Sequence, residues 1–184
     1  MNPLSRGAAG DTDKVLIERW KAGDSRAATE LVSRHADSLA RFATSAGERE
    51  EIEELVQDTF VRAFGSLDAF RGESSLRTWL FTIERRLMLD RRRAERRQHS
   101  LVPIEASEAA TEYNALDGMV AQETATQVRK AVGALSPMQR EVFTLRVEQG
   151  LSYKEIAEVL ETTEGAARVH YHNAVRAVKE FLND

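Results

Sequence analysis

Three groups of side chains have types and spacing that could do chemistry, and each has a plainer structural reading beside it. The segment Phe70-Arg71-Gly72-Glu73-Ser74-Ser75-Leu76-Arg77-Thr78-Trp79-Leu80-Phe81 interleaves aromatic rings with cations and small polar residues. Rings stack unpaired bases at roughly 1–3 kcal/mol each while Arg neutralises the backbone, so this composition suits single-stranded or melting DNA better than closed duplex. Trp79 adjoins the apolar positions Leu76, Leu80 and Ile83 and reads equally as core, whereas Phe81 reads first as core. Downstream, Arg85, Arg86, Arg91, Arg92, Arg93, Arg96 and Arg97 follow in one stretch that offers only Glu84, Asp90 and Glu95 as local counter-charges. Like charges at helical spacing repel, which favours phosphate as the missing partner. In the last helix Arg168, His170, His172, Asn173, Arg176 and Lys179 supply the polar surface. Its first turn could enter a major groove, with Arg168 donating to guanine or phosphate and His172 to a base edge or phosphate. A metal reading of His170 and His172 is poor, because residues two apart diverge on a helix and no third ligand is near in sequence.

No catalytic constellation accompanies these groups. The chain has no Cys nucleophile, no Gly-rich phosphate loop and no Ser-His-Asp context, and its carboxylates sit at surface spacing on helices. The expectation is therefore a protein that is not an enzyme and uses no cofactor and no metal.

Helices must position these groups. From Asp13 onward apolar residues recur at helical spacing, which predicts helices near 13–22, 25–46, 50–67, 75–97, 121–134, 137–149, 152–160 and 164–182. In the third, Ile52, Leu55, Val56, Phe60, Ala63, Phe64 and Leu67 form one apolar stripe and leave Glu50, Glu53, Glu54, Gln57 and Asp58 on the other side. That acidic face reads as solvated surface in isolation. Beside an Arg-rich helix it must point away from phosphate, which makes a protein partner a natural use for it. The fourth helix, opened by Ser74 or Ser75 as N-cap, packs through Leu76, Leu80, Ile83 and Leu87 and then turns cationic.

Between Gln98 and Val128 there is no Lys or Arg, and the part through Val120 carries Glu105, Glu108, Glu112 and Asp117 with Pro103 and Gly118. It reads as an extended acidic connector. Beyond it the punctuation is dense. Ser136-Pro137-Met138-Gln139 is a capping-box start with Pro at the first helical position, Gly150 stops that helix, and Ser152-Tyr153-Lys154-Glu155 repeats the capping box. A short helix, a turn at Glu161-Thr162-Thr163 and a helix from Glu164 with Thr163 as N-cap make a helix-turn-helix layout.

A length of 184 residues with 42% hydrophobic content allows one medium core or two small ones, and the change in composition along the chain favours two. The net charge of −4 means that any contact with nucleic acid comes from local patches against a repulsive background. The absence of Cys excludes disulfides and thiol sensing. Neither a signal peptide nor an apolar run of membrane-spanning length is present, so a cytoplasmic, non-inserted protein is expected.

At these residues the chain resembles a bacterial RNA polymerase sigma factor of the extracytoplasmic-function (ECF) type. Glu53-Glu54-Leu55-Val56-Gln57-Asp58-Thr59-Phe60, Phe70-Arg71-Gly72-Glu73-Ser74 through Leu80, and Leu89-Asp90-Arg91-Arg92-Arg93 resemble successive parts of sigma region two. Leu135-Ser136-Pro137, Gly150 through Ala157, and Gly165 are similar to region four. The resemblance implies an all-α chain of two helical domains: a tail over 1–12, region two over 13–97, a linker over 98–120 and region four over 121–184.

It further implies that Glu53, Glu54, Gln57 and Asp58 dock on the β′ clamp helices of core RNA polymerase, with the β flap as a second contact. Phe70, Arg71, Ser74, Arg77, Thr78, Trp79, Arg85, Arg86, Arg92 and Arg93 would melt and read the minus-ten promoter element. Thr163, Glu164, Arg168, Val169, His172 and Arg176 would read the minus-thirty-five element as duplex, and the linker would thread the polymerase cleft. An anti-sigma protein, often membrane-bound in the family, is a further implied partner and would hold the chain at the inner membrane face. Two departures stand out: Arg86 occupies a position where the family usually has Asn, and the last helix is poorer in Arg than is common. The alternative reading is an autonomous helix-turn-helix regulator that binds duplex DNA without polymerase. It leaves the acidic face of the third helix and the aromatic-Arg loop unexplained.

Overall fold

The computed structural model describes residues 5–99 and 121–183, and every regular element among them is helical. In chain order these are α1 (Ser5–Lys21), α2 (Ser25–Ala46), α3 (Ile52–Gly65), a 3-10 turn (Leu67–Ala69), α4 (Leu76–His99), α5 (Ala121–Gly133), α6 (Pro137–Val147), α7 (Tyr153–Val159) and α8 (Glu164–Asn183). The all-α expectation holds. Several helix bounds differ from those expected. Residues 5–12, expected as tail, are the first turns of α1, because extending a helix already nucleated at 13–21 costs far less than starting one. Gln98 and His99, expected as linker, complete α4; the rest of that connector lies outside the described residues.

Local chemistry accounts for most of the helix ends. Asp24 caps α2 by accepting from the Arg26 backbone N–H at 3.0 Å, and Arg19 at the end of α1 donates twice to the same carboxylate. Gly47 ends α2 at φ 100°, a left-handed conformation that favours glycine. Glu51 is left-handed at φ 54°, which delays α3 to Ile52, two residues later than periodicity suggests. Both predicted capping boxes form: Ser136 with Gln139 at α6, and Ser152 with Glu155 at α7. Thr163 Oγ1 accepts from the Ala166 N–H at 3.1 Å and opens α8.

α2 is the spine, burying Ala27, Leu31, His35, Leu39, Phe42, Ala43 and Ala46. Phe42 meets Phe81 of α4 edge-on with centroids 5.3 Å apart, and Trp20, Phe64 and Phe60 stack in sequence beneath α1 and α3. α1 is tied to α2 by Asp13, which accepts from Arg34 at 2.7 Å and lies 2.9 Å from His35 Nε2. Burial works against the charged form of Asp13, but its bonds and charge pairing with His35 and Arg34 prevail and hold the carboxyl below its ordinary value.

The core differs from a pair of separate clusters. α6 packs on α2 and α7 on α4, so Val142, Leu145, Leu151, Ile156 and Val159 join the same buried cluster as Phe42, Leu80 and Phe81. A second, smaller cluster of Ala131, Leu135, Ala174 and Val178 holds α5 to α8. Among the described residues no helix is long and apolar enough to cross a membrane.

Candidate nucleic-acid interface

α4 opens on Ser75, whose Oγ accepts from the Thr78 N–H at 3.1 Å. The loop that precedes it is folded by an aromatic pair: Phe70 and Trp79 have ring centroids 5.0 Å apart, and both are half-buried against the main core. Trp79 is thus neither a sealed core residue nor a free ring, while Phe81 is fully buried. Gly72, at φ 72°, turns the chain at the tip and leaves Arg71 and Glu73 exposed, with Ser74 half-buried. Between this loop and α1 lies an open cleft of about 550 Å³, walled by Lys14, Ile17 and Lys21 on one side and Phe70, Arg71 and Ser74 on the other. The two lysines of α1 escaped the sequence reading. Nothing local in α1 points to the loop, since only the fold of α1 onto α2 brings them beside it.

The arginines of α4 are less free than their run suggests. Arg91 lies 3.1 Å from Asp58, 3.7 Å from Glu54 and 3.8 Å from Glu51. Arg92 donates to the Ala46 carbonyl at 2.6 Å and pairs with Glu48 at 2.8 Å. Arg85 is buried on Glu141 at 3.0 Å, Arg86 pairs with Glu161 at 2.9 Å, and Arg93 lies 3.5 Å from Asp90. The repulsion expected from counting charges within the helix is therefore relieved by carboxylates from α3, α6 and the turns after α2 and α7. Thr78, among the expected minus-ten residues, is fully buried and donates to Glu155 at 3.3 Å, and Arg77 donates to the side chain of Gln149.

One member of α4 has no such compensation. The Glu84 carboxyl is completely buried, and neither oxygen has a hydrogen-bond partner among the described residues. Burial, reinforced by the charge of Glu48, pushes it well above its ordinary value.

On α3, Glu53 and Gln57 point into solvent, whereas Glu54 and Asp58 share Arg91 with α4. The acidic face is thus half outward-looking and half a brace between helices.

α8 presents Glu164, Arg168, His172 and Arg176 at four-residue intervals on one side, with Thr163 and Val169 exposed beside them. Arg168 is oriented twice: it donates to Glu164 at 3.0 Å, and its guanidinium lies 4.9 Å from the centre of the Tyr153 ring. Arg146 stands 4.8 Å from the centre of the same ring. Arg176 lies 3.4 Å from Asn173 Oδ1. The turn from α7 to α8 is held by Thr162 N–H donating to the Ala157 carbonyl and by Glu161 at φ 50°. A short, internally bonded turn fixes the angle at which α8 leaves its neighbour.

Two family models match the chain: sigma-70 region 2 over residues 31–98 and sigma-70, region 4 over residues 125–178. The ECF RNA polymerase sigma-E factor of Haemophilus influenzae is 31% identical over 93% of this chain and 95% of its own length. That of Escherichia coli strain K12 is 29% identical over 91% and 92%. Among solved structures, the sigma factor RpoE in complex with the anti-sigma factor NepR from Bartonella quintana superposes with a TM-score of 0.66 at 28% identity, covering 84% of this chain and 96% of that one. CnrH in complex with the cytosolic domain of CnrY gives a TM-score of 0.67 at 28% identity over 94% and 97%.

Proposed function

The chain belongs to the ECF sigma factors of the sigma-70 family, non-catalytic subunits that direct RNA polymerase to promoters, and we propose that it divides this work among the three surfaces described above. Glu53 and Gln57, with Glu54 and Asp58 at their edge, form the face that docks on the β′ clamp helices of core polymerase. The cleft between α1 and the Phe70–Ser75 loop takes the melted minus-ten strand. Phe70 and Trp79 offer ring faces to unstacked bases, and Arg71, with Arg77, Arg85, Arg86, Arg92 and Arg93 along α4, meets the phosphates. α8 enters the major groove of the minus-thirty-five element as duplex. There Arg168 is the base-reading side chain, His172 and Arg176 follow the groove, and Thr163 and Glu164 sit at its entry beside Val169.

The observation that carries this reading is the contrast between the two nucleic-acid surfaces. One is a cleft beside the half-buried Phe70–Trp79 pair with cations on both walls, suited to single strands, and the other is a convex helix face carrying Arg168, His172 and Arg176, suited to a groove. The segment 100–120, without a single cation, threads the polymerase cleft between them, and region four takes the β flap as its second polymerase contact. Because the similar sigma factor RpoE from Bartonella quintana is described in complex with the anti-sigma factor NepR, an anti-sigma partner is part of the proposal, and such a partner keeps the chain in the cytoplasm or at the inner face of the membrane.

Run-off transcription with purified core polymerase on sheared DNA from the source genome tests the assignment. New start sites that share two upstream elements at constant spacing support it. A folded helical protein that yields no new start would overturn it and favour a regulator acting without polymerase.

A further inference from the structure

The cleft next to the Phe70–Trp79 pair has a second wall, and α1 makes it. Asp13 accepts from Arg34 at 2.7 Å and lies 2.9 Å from His35 Nε2, while Leu16 and Ile17 are buried on the same helix. Those contacts fix how α1 is rotated about its own axis. The polar face left toward the cleft carries Lys14, Glu18 and Lys21, all exposed. Lys14 and Lys21 are seven residues apart, which is two helical turns and about 10 Å along one side of the helix. Across from them stand Phe70, Arg71 and Ser74. Of the charged side chains that line the cleft, Lys14, Lys21 and Arg71 are cations. The carboxylate of Asp13 is engaged with Arg34 and His35, which leaves Glu18 as the one carboxylate against the three. Arg19, a cation of the same helix outside the cleft, is instead held by Asp24 at 2.7 Å. Lys21 reaches the fully exposed Asp68 at 3.8 Å, a surface pair that water and salt screen and that a phosphate would readily replace.

We infer that Lys14 and Lys21 grip the sugar-phosphate backbone of the captured strand from the side opposite the rings, which makes α1 a phosphate-binding wall of the melting site. This rests on the minus-ten assignment above and adds an orientation to it: the strand runs between α1 and the Phe70–Ser75 loop, with bases turned toward Phe70 and phosphates toward α1. Ammonium groups on flexible stems suit that side, because they neutralise a phosphate without fixing its orientation. A spacing of about 10 Å covers roughly three nucleotides at the stacked rise of 3.4 Å, and fewer where the strand is stretched. The two lysines therefore hold phosphates on either side of an unstacked base rather than adjacent ones. Asp13 is a positioning residue in this arrangement. Its clasp sets the rotation that brings the lysine pair to the cleft, and Arg34 and His35 neutralise a carboxylate that would otherwise oppose the strand.

The test uses the full chain assembled with core polymerase and a promoter fragment, identified by run-off, whose minus-ten element is held open by mismatches. Binding is measured by fluorescence anisotropy as salt is raised, and a duplex fragment carrying only the minus-thirty-five element is the control. Lys14→Ala/Lys21→Ala should make the dependence of log K on log salt shallower by about 1.4, the share of two single-strand phosphates, and should weaken the open fragment about 10-fold at low salt. Lys14→Arg/Lys21→Arg should keep the wild-type slope, and neither variant should change binding to the control. Both positions are exposed on a helix where alanine is favourable, so the fold should be retained, as circular dichroism would verify. Methylphosphonate placed at one position after another along the unpaired strand locates the contacts: wild type should lose affinity at two separated phosphates at which the alanine variant is insensitive. An unchanged slope, a loss that arginine does not restore, an equal loss on the control, or the same methylphosphonate profile in both proteins would overturn the inference. So would a loss traced to weaker core polymerase affinity, which would assign the lysines to docking. Promoter-directed run-off by the wild type alongside any of these results would leave the sigma assignment standing and remove only the α1 wall; no run-off at all would remove both.

Discussion

On α8 the proposed reading side chains are held by their own neighbourhood. Arg168 leans on Glu164 one turn away and on Tyr153 of the preceding helix, and the reading face stays exposed. On α4 corresponding arginines are held from a distance: Arg92 by Glu48, Arg86 by Glu161, and Arg85 by Glu141 across 56 residues of sequence. A surface organised by local contacts is formed whenever its helix-turn-helix is formed. A surface organised by long-range contacts exists only in the arrangement that supplies those contacts, and it changes when that arrangement changes. The proposed minus-thirty-five face is thus preorganised, and the proposed minus-ten face is conditional.

The largest effect expected from breaking this comparison is on the shared core. Phe81→Ala should cost about 3–5 kcal/mol, the usual loss for a fully buried phenyl ring. Because the cluster draws on α1–α4 and α6–α8, these helices should unfold in one transition in urea; two resolved transitions would show the units to be energetically separate. Next comes the outward half of α3. Glu53→Ala with Gln57→Ala should weaken core polymerase binding by roughly 2 kcal/mol, the scale of an interface hot spot, while the melting temperature stays put, because neither side chain is buried. Unchanged affinity in a direct titration would move the docking face elsewhere.

Arg168→Ala should cost about 1–3 kcal/mol of discrimination at one base position if the contact is bidentate. Tyr153→Leu, which removes the ring that Arg168 shares with Arg146, should cost about 0.5–1 kcal/mol in the same assay. A Tyr153 effect as large as that of Arg168 would mean that the ring touches DNA itself, and equal losses on all sequences would assign Arg168 to phosphate.

An effect of comparable size is read by pH. The Glu84 carboxyl, raised by burial and by Glu48 from an ordinary value of 4.5, binds its proton more tightly folded than unfolded. The stability it supports is therefore complete below that ordinary value and is lost as pH rises toward the folded one. Glu84→Gln should flatten this decline and gain about 1 kcal/mol at the alkaline end. A wild type whose stability does not fall with pH relative to the variant would contradict the buried, unpartnered placement.

Where the sequence spoke through local chemistry it was legible to within two residues. The start and stop of α2, both capping boxes, the glycine stop at Gly150 and the Thr163 cap all concern atoms within one helical turn of each other. So did the apolar stripe of α3 and the core role of Phe81. What escaped is tertiary. The Arg run looked unneutralised because Glu48, Glu51, Glu54, Asp58, Glu141 and Glu161 answer it from other elements, and no periodicity within α4 reveals them. The contribution of Lys14 and Lys21 to the cleft depends in the same way on how α1 folds back, and the union of the two expected cores depends on α6 lying on α2.

The Phe70–Trp79 pair has a consequence for observation. The chain contains two tryptophans, both in the N-terminal half, and Trp20 is stacked on Phe64 within the helical core while half-buried Trp79 pairs with Phe70, which lines the cleft. Indole emission from the unlabelled protein is therefore blind to α8 and sensitive to the loop. A base that slides onto Trp79 would quench one emitter and leave the other as an internal intensity standard, so strand capture could be timed in a stopped-flow instrument without any dye.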